Sequence, residues 1–134
     1  MSLDDALAKV RSTVPECVAC GLVDMKTGML LGVKTVDSHP QEVLDLVAAA
    51  TGELFQGQNV SAIEATFKKI RGLKNDGHHY FQEIIVMSDN LIHVFQRCKR
   101  SEDMILAVIC RVSANLGMVL TKSRATLEQV EAAT

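Results

Sequence analysis

The chain has 134 residues, 48% of them hydrophobic and 22% charged, with a net charge of -2. This is ordinary globular composition, enough for one domain spanning residues 1–134 that buries roughly two-thirds of its unfolded surface. It lacks the basic footprint of a nucleic-acid binder, a signal peptide, and any apolar run of the about 20 residues a membrane span needs, so the cytoplasm is the expected compartment.

Leu3–Val14 carries Leu3, Leu7, Val10 and Val14 at helical spacing, with Ser2 and Asp5 as a capping pair and Pro15 as the stop. Cys17–Asp24 is almost continuously apolar, which predicts a strand covered on both faces. Cys17 and Cys20 make a Cys-x-x-Cys within it. Residues three apart on a strand face opposite sides, so the two thiols are expected apart, as structural cysteines and not a redox or zinc pair. Met25–Gly28 predicts a hairpin connection and Met29–Val36 the return strand, whose Gly32 and Lys34 mark a discouraged edge.

Ser38 and Gln41 form a second capping pair, with Pro40 in the first turn, so a helix is expected from near His39. Val43, Leu46, Val47, Ala50 and Leu54 line one face of it, and Ala48-Ala49-Ala50 offers a thin surface for close approach. Val60–Leu73 repeats helical spacing through Ile63, Phe67 and Ile70. It is either the same helix resumed beyond Gly52 and Gly57 or a separate one. Lys68, Lys69, Arg71 and Lys74 read as a solvated helix end.

After a turn at Asn75-Asp76-Gly77, His78–Ser88 and Leu91–Cys98 read as strands joined by a tight turn at Asp89-Asn90. Met104–Cys110 is seven apolar residues without alternation, the pattern of a strand in the middle of a sheet. Ser113–Glu131 is a long helix with Leu116, Val119, Leu120, Leu127 and Val130 on one face.

Hairpins segregated in this way give an α+β fold. Setting the two most apolar strands side by side yields a five-stranded antiparallel sheet of order 2-1-5-4-3, with helices on its faces. His78–Ser88 is then an edge. It has no Pro or Lys, one carboxylate (Glu83), and apolar residues on both faces at Ile84–Met87. An edge so poorly defended predicts a partner, most simply a second copy pairing through Tyr80, Gln82, Ile84, Ile85, Val86 and Met87. Lysine at Ile84 or Val86 is expected to break the dimer. Aspartate at Leu106 or Ile109 is expected to abolish folding.

Several pieces together resemble the Roadblock/dynein light chain family, which has a profilin-like fold. They are Gly21-Leu22-Val23-Asp24, Thr27-Gly28, Leu30-Leu31, the Ala-rich helix with Leu54-Phe55, Asp89 through Val94, and Asn115-Leu116-Gly117-Met118. The likeness runs from about Leu3 to Val130, and Val60–Leu73 departs from it by being longer and more helical than the family's linker. The resemblance implies a non-catalytic homodimer in which third strands join the two sheets. Second helices pair beside them, here through Val47, Ala50 and Leu54. It also implies a small Ras-like GTPase as partner, since bacterial members regulate a GTPase of the polarity and motility type. No GTPase-facing residue transfers.

No Gly-rich phosphate loop occurs. His78 and His79, as strand neighbours, face opposite ways, and so do His93 and Cys98. No catalytic residue, metal ligand or cofactor is therefore expected. The alternative is a sensing domain that holds a small molecule between sheet and helices, for which the central strands offer only Cys20 and Cys110 as heteroatom-bearing side chains.

Overall fold

The computed structural model describes residues 1–36, 41–74 and 78–134, with backbone alone at residues 41–45. Its elements are α1 (Leu3–Thr13), β1 (Cys17–Asp24), β2 (Met29–Thr35), α2 (Gln41–Gln56), α3 (Gln58–Ile70), β3 (Glu83–Met87), β4 (Leu91–Arg97), β5 (Met104–Arg111) and α4 (Leu116–Ala132). The strands form one antiparallel sheet in the order β2-β1-β5-β4-β3, as the placement of the apolar strands predicts. The predicted cap at Ser38 and Gln41 and the turn at residues 75–77 include positions outside the described residues.

The absence of alternation in β5 has a direct structural cause. Leu106, Val108 and Cys110 pack with Leu7, Val10, Val119, Leu127 and Val130 on the side of α1 and α4. Ile105 and Ala107 pack with Val23, Phe55 and Phe95 on the side of α2. Both faces of the strand are dry, so both need apolar side chains.

On the first face, Ser2 Oγ accepts the Asp5 N–H at 3.1 Å and starts α1. α1 lies against β2, where a Cβ on Gly32 would sit 2.9 Å from Leu7 Cδ1. Gly32 therefore makes room for a helix; deterrence of pairing is not needed to explain it. Lys34 is tied to Asp4 at 2.8 Å. The β1–β2 turn closes with Gly28 at φ 72° and the Asp24 carboxylate accepting the Lys26 N–H at 3.0 Å. The β3–β4 turn is the expected one, with the Ser88 N–H donating to the Leu91 carbonyl at 2.9 Å across Asp89-Asn90.

β1 overturns one expectation. A bulge between Cys17 and Ala19 shifts the register against β5. Cys17 and Cys20 therefore join the same core cluster, with Cys110.

α4 begins at Leu116 and not at Ser113, because the Asn115 side chain takes the Met118 N–H at 3.0 Å and so caps the helix there. Its far end holds the β4–β5 turn. The buried Glu131 carboxylate accepts the Arg100 N–H at 2.9 Å and the Ser101 N–H at 2.6 Å. Glu131→Ala removes both charge-assisted bonds, and chemical denaturation is expected to show a loss of about 2–4 kcal/mol.

On the second face, α2 and α3 are separate helices. A Cβ at Gly57 would lie 2.6 Å from the Glu53 carbonyl oxygen, so the chain turns where only glycine fits. α2 meets the sheet through Ala48, Thr51 and Phe55, one row away from the apolar stripe read in the sequence, and leaves Leu46 70% exposed. Phe55 is the anchor: it meets Phe95 edge-on at 6.5 Å, and the buried Arg97 guanidinium lies 5.1 Å from its ring.

α3 is turned the other way. Glu64 and Lys68 are buried, whereas Ile63, Phe67 and Ile70 are exposed. Lys68 is thus not part of a solvated end; its ammonium donates to the His78 carbonyl. Glu64 accepts the Tyr80 N–H and lies 3.1 Å from His79 Nδ1, and Arg97 Nε donates to the Phe81 carbonyl at 2.9 Å. These side chains occupy the backbone groups of residues 78–81. The strand expected from His78 consequently starts only at Glu83, and His78 and His79 are not strand neighbours.

Burial alone would raise the Glu64 carboxyl. The His79 ring and the Tyr80 and Phe81 N–H groups outweigh burial, and the net shift is downward from 4.5. A lowered carboxylate stabilises the fold fully above its unfolded value and loses that contribution as pH falls through the lower folded one. The protection of the amides across residues 78–82, relative to the intrinsic exchange rate at each pH, is therefore expected to fall as pH drops below 4.5. Glu64→Gln should make exchange fast at neutral pH and remove that acid dependence.

Candidate interaction site

β3 ends the sheet, hydrogen-bonded to β4 on one side, and no described strand pairs with its other side. Ile85, Val86 and Met87 are 40%, 39% and 54% exposed. The strand is fixed from behind. Arg124 of α4 grips Glu83 with Nε at 2.9 Å and Nη2 at 2.8 Å, an exposed bidentate pair. The one carboxylate on this edge is thereby engaged toward α4.

Alternation splits the apolar residues of β3 between the two faces. Ile84 packs against the Val23, Phe55 and Phe95 cluster. Val86, two residues on, opens into a groove between α2 and the sheet. This groove of about 350 Å³ is lined by Ala50, Glu53, Leu54, Val86, His93 and Phe95. The fold thus brings together three residues singled out separately in the sequence, Ala50 and Leu54 from the helix and Val86 from the edge. Val47 lies half-buried one turn before Ala50.

Tyr80 and Gln82 fall outside the edge strand. Tyr80 stacks edge-on with Phe67 at 6.5 Å, and Gln82 Nε2 donates to the His79 carbonyl at 2.6 Å. Sequence reasoning missed Glu53, His93 and Phe95 as groove-forming residues. The legible signal was alternation, since His93 and Phe95 lie two apart on β4 and so face the same side.

The groove's ionisable side chains are Glu53 and His93. His93 Nε2 lies 3.1 Å from Ser88 Oγ, at an exposed position, and partial burial lowers the imidazole from 6.5. Cys98 lies in the opposite core cluster, and burial with the Glu131 charge pushes its thiol up to about 12. Among the described residues, no group of three or more His, Cys, Asp or Glu is arranged to hold a metal ion, and no helix is long and apolar enough to cross a membrane.

No family model matches this sequence, and no curated protein matches it significantly. Solved structures match it in three dimensions. A Roadblock/LC7 domain from Streptomyces avermitilis superposes with TM-score 0.69 and 18% identity, over 98% of this chain and 97% of its own. MglB from Myxococcus xanthus gives TM-score 0.71 and 15% identity, over 97% and 92%. An MglB with a tetrameric arrangement gives 0.69 and 20%, over 97% and 88%. Identities this low carry architecture and nothing finer, while coverage is nearly complete on both sides. The chain has the Roadblock/LC7 fold.

Proposed function

We propose that the chain is a non-catalytic, homodimeric interaction module of the cytoplasm whose partner is a small Ras-like GTPase. The observation that carries this reading is the β3 edge, which no described strand covers, with Ile85, Val86 and Met87 exposed beside the groove of Ala50, Leu54 and Val86. An open strand end-capping a sheet favours another strand, because its free N–H and C=O groups gain partners there. A second copy related by a two-fold axis supplies an identical strand in antiparallel register. The exposed Ala49 and Ala50 let the facing α2 helices come close.

The GTPase rests on the resemblance to the Roadblock family. The outward apolar row of α3 adds to the case for a binding role, since contiguous exposed apolar surface marks contact sites.

Light scattering on the eluting protein at high micromolar concentration tests the first half, with a two-subunit mass expected. Mixing with a small Ras-like GTPase loaded with GDP or a GTP analogue tests the second, and co-elution is expected in at least one state. A small molecule co-purifying with the groove residues, without GTPase binding, would favour the sensing alternative.

A further inference from the structure

The three cysteines at the β1–β5 end of the sheet form a cluster that the interaction role does not use. Cys17 and Cys110 are direct cross-strand partners, the spacing at which two side chains on one face meet. The bulge after Cys17 places Cys20 on that face as well, and all three lie in the core cluster under α1 and α4. Cys20 is committed locally, its Sγ donating to the Leu7 carbonyl at 3.2 Å.

Cys17 differs from the other two in its access. It is 8% exposed, against 2% for Cys20 and none for Cys110. It follows the tight turn at Glu16, whose φ of 51° is left-handed and which is pinned by Ser113 Oγ at 2.8 Å and the Arg111 N–H at 3.1 Å. It is the most exposed residue of the three.

We propose that Cys17 and Cys110 form a reversible dithiol–disulfide site that takes a small peroxide as its oxidant. The Cys17 thiolate attacks one peroxide oxygen, the O–O bond breaks, and Cys17 becomes a sulfenic acid while water leaves after protonation. The Cys110 thiol then loses its proton and attacks Cys17 Sγ, expelling the hydroxyl as a second water. Two thiols are oxidised and one peroxide is reduced.

The electrostatics agree with this order of events. The Cys110 thiol, facing Cys17 across the strands, holds the Cys17 thiol below its ordinary range against burial, and Arg11 adds to the effect. The Cys110 thiol is pushed up by giving its hydrogen bond to Cys17 and by burial. The lowered thiol thus belongs to the most exposed residue of the three.

The test uses the full chain, reduced and then exposed to hydrogen peroxide. Free thiols are alkylated and the peptides mapped without reductant. The expected result is loss of two hydrogens per chain, a linked pair of peptides containing Cys17 and Cys110, and full recovery of four alkylatable thiols after dithiothreitol. Cys98→Ser should still form the bond and Cys17→Ser should not, both checked for folding by circular dichroism. Four free thiols after peroxide, a Cys17–Cys20 link, a bond between chains, or irreversible oxidation would each overturn the proposal. The mapping on the unaltered chain decides it even if a variant misfolds.

Discussion

Lysine at Val86 is expected to convert a two-subunit species into a folded single subunit. Val86 is exposed, lines the α2 groove, and sits on the strand whose outer side has no described partner. In a two-fold pairing through β3, the substitution brings an ammonium group from each copy into the shared strand contact. Like charges juxtaposed at an interface cost several kcal/mol, so the dissociation constant should rise by roughly 100-fold or more. The folded subunit loses little, because an exposed strand position changes stability by about 0.5 kcal/mol or less. Analytical ultracentrifugation should show half the mass, with thermal unfolding nearly unchanged. Ile84→Lys is a poorer probe, since Ile84 packs on the core beneath α2 and a charge there disturbs folding as well. A Val86→Lys protein that keeps its two-subunit mass would remove β3 from the interface.

Leu106→Asp is expected to leave no folded protein. Leu106 is fully buried, and its core cluster is made of apolar side chains and thiols from β1, β4, β5, α1 and α4. A carboxylate there has no cation to pair with, and its protonated form has little to bond to. Truncation to alanine alone should cost about 2–5 kcal/mol through lost burial and the cavity left behind. An added polar group brings a further desolvation penalty, and the sum reaches the whole stability of a typical domain, about 5–15 kcal/mol. Far-ultraviolet circular dichroism and recovery in inclusion bodies would report it. Leu106→Ala should remain folded with a lower midpoint in urea. Ile109 is only partly buried, so aspartate there is the milder substitution.

Much of the architecture was legible because strand burial is written directly into side-chain pattern. The unbroken apolar runs of β1 and β5 force both into the sheet centre, and the remaining order follows from which strands have neighbours in sequence. Ser2, Gly28, and Asp89-Asn90 work through bonds within a few residues, so each was readable without tertiary context. The candidate site was half legible by the same rule. Ile84 through Met87 and the Ala50 and Leu54 row were visible, but the meeting of Val86 with that row in one groove was not.

Tertiary structure alone decided the points where a side chain's partner lies far away in sequence. Glu64 and Lys68 look like the solvated face of α3, and they are buried because the backbone groups of residues 78–80 need partners they can reach. That capture shortens β3 to Glu83–Met87, so that Tyr80 and Gln82 precede the strand. Likewise, strand alternation put Cys17 and Cys20 on opposite faces, and one bulge against β5 placed them together. Periodicity is a local property of the chain and fixes which faces are apolar. Register shifts and long-range hydrogen bonds depend on what another segment offers, and no local pattern contains that.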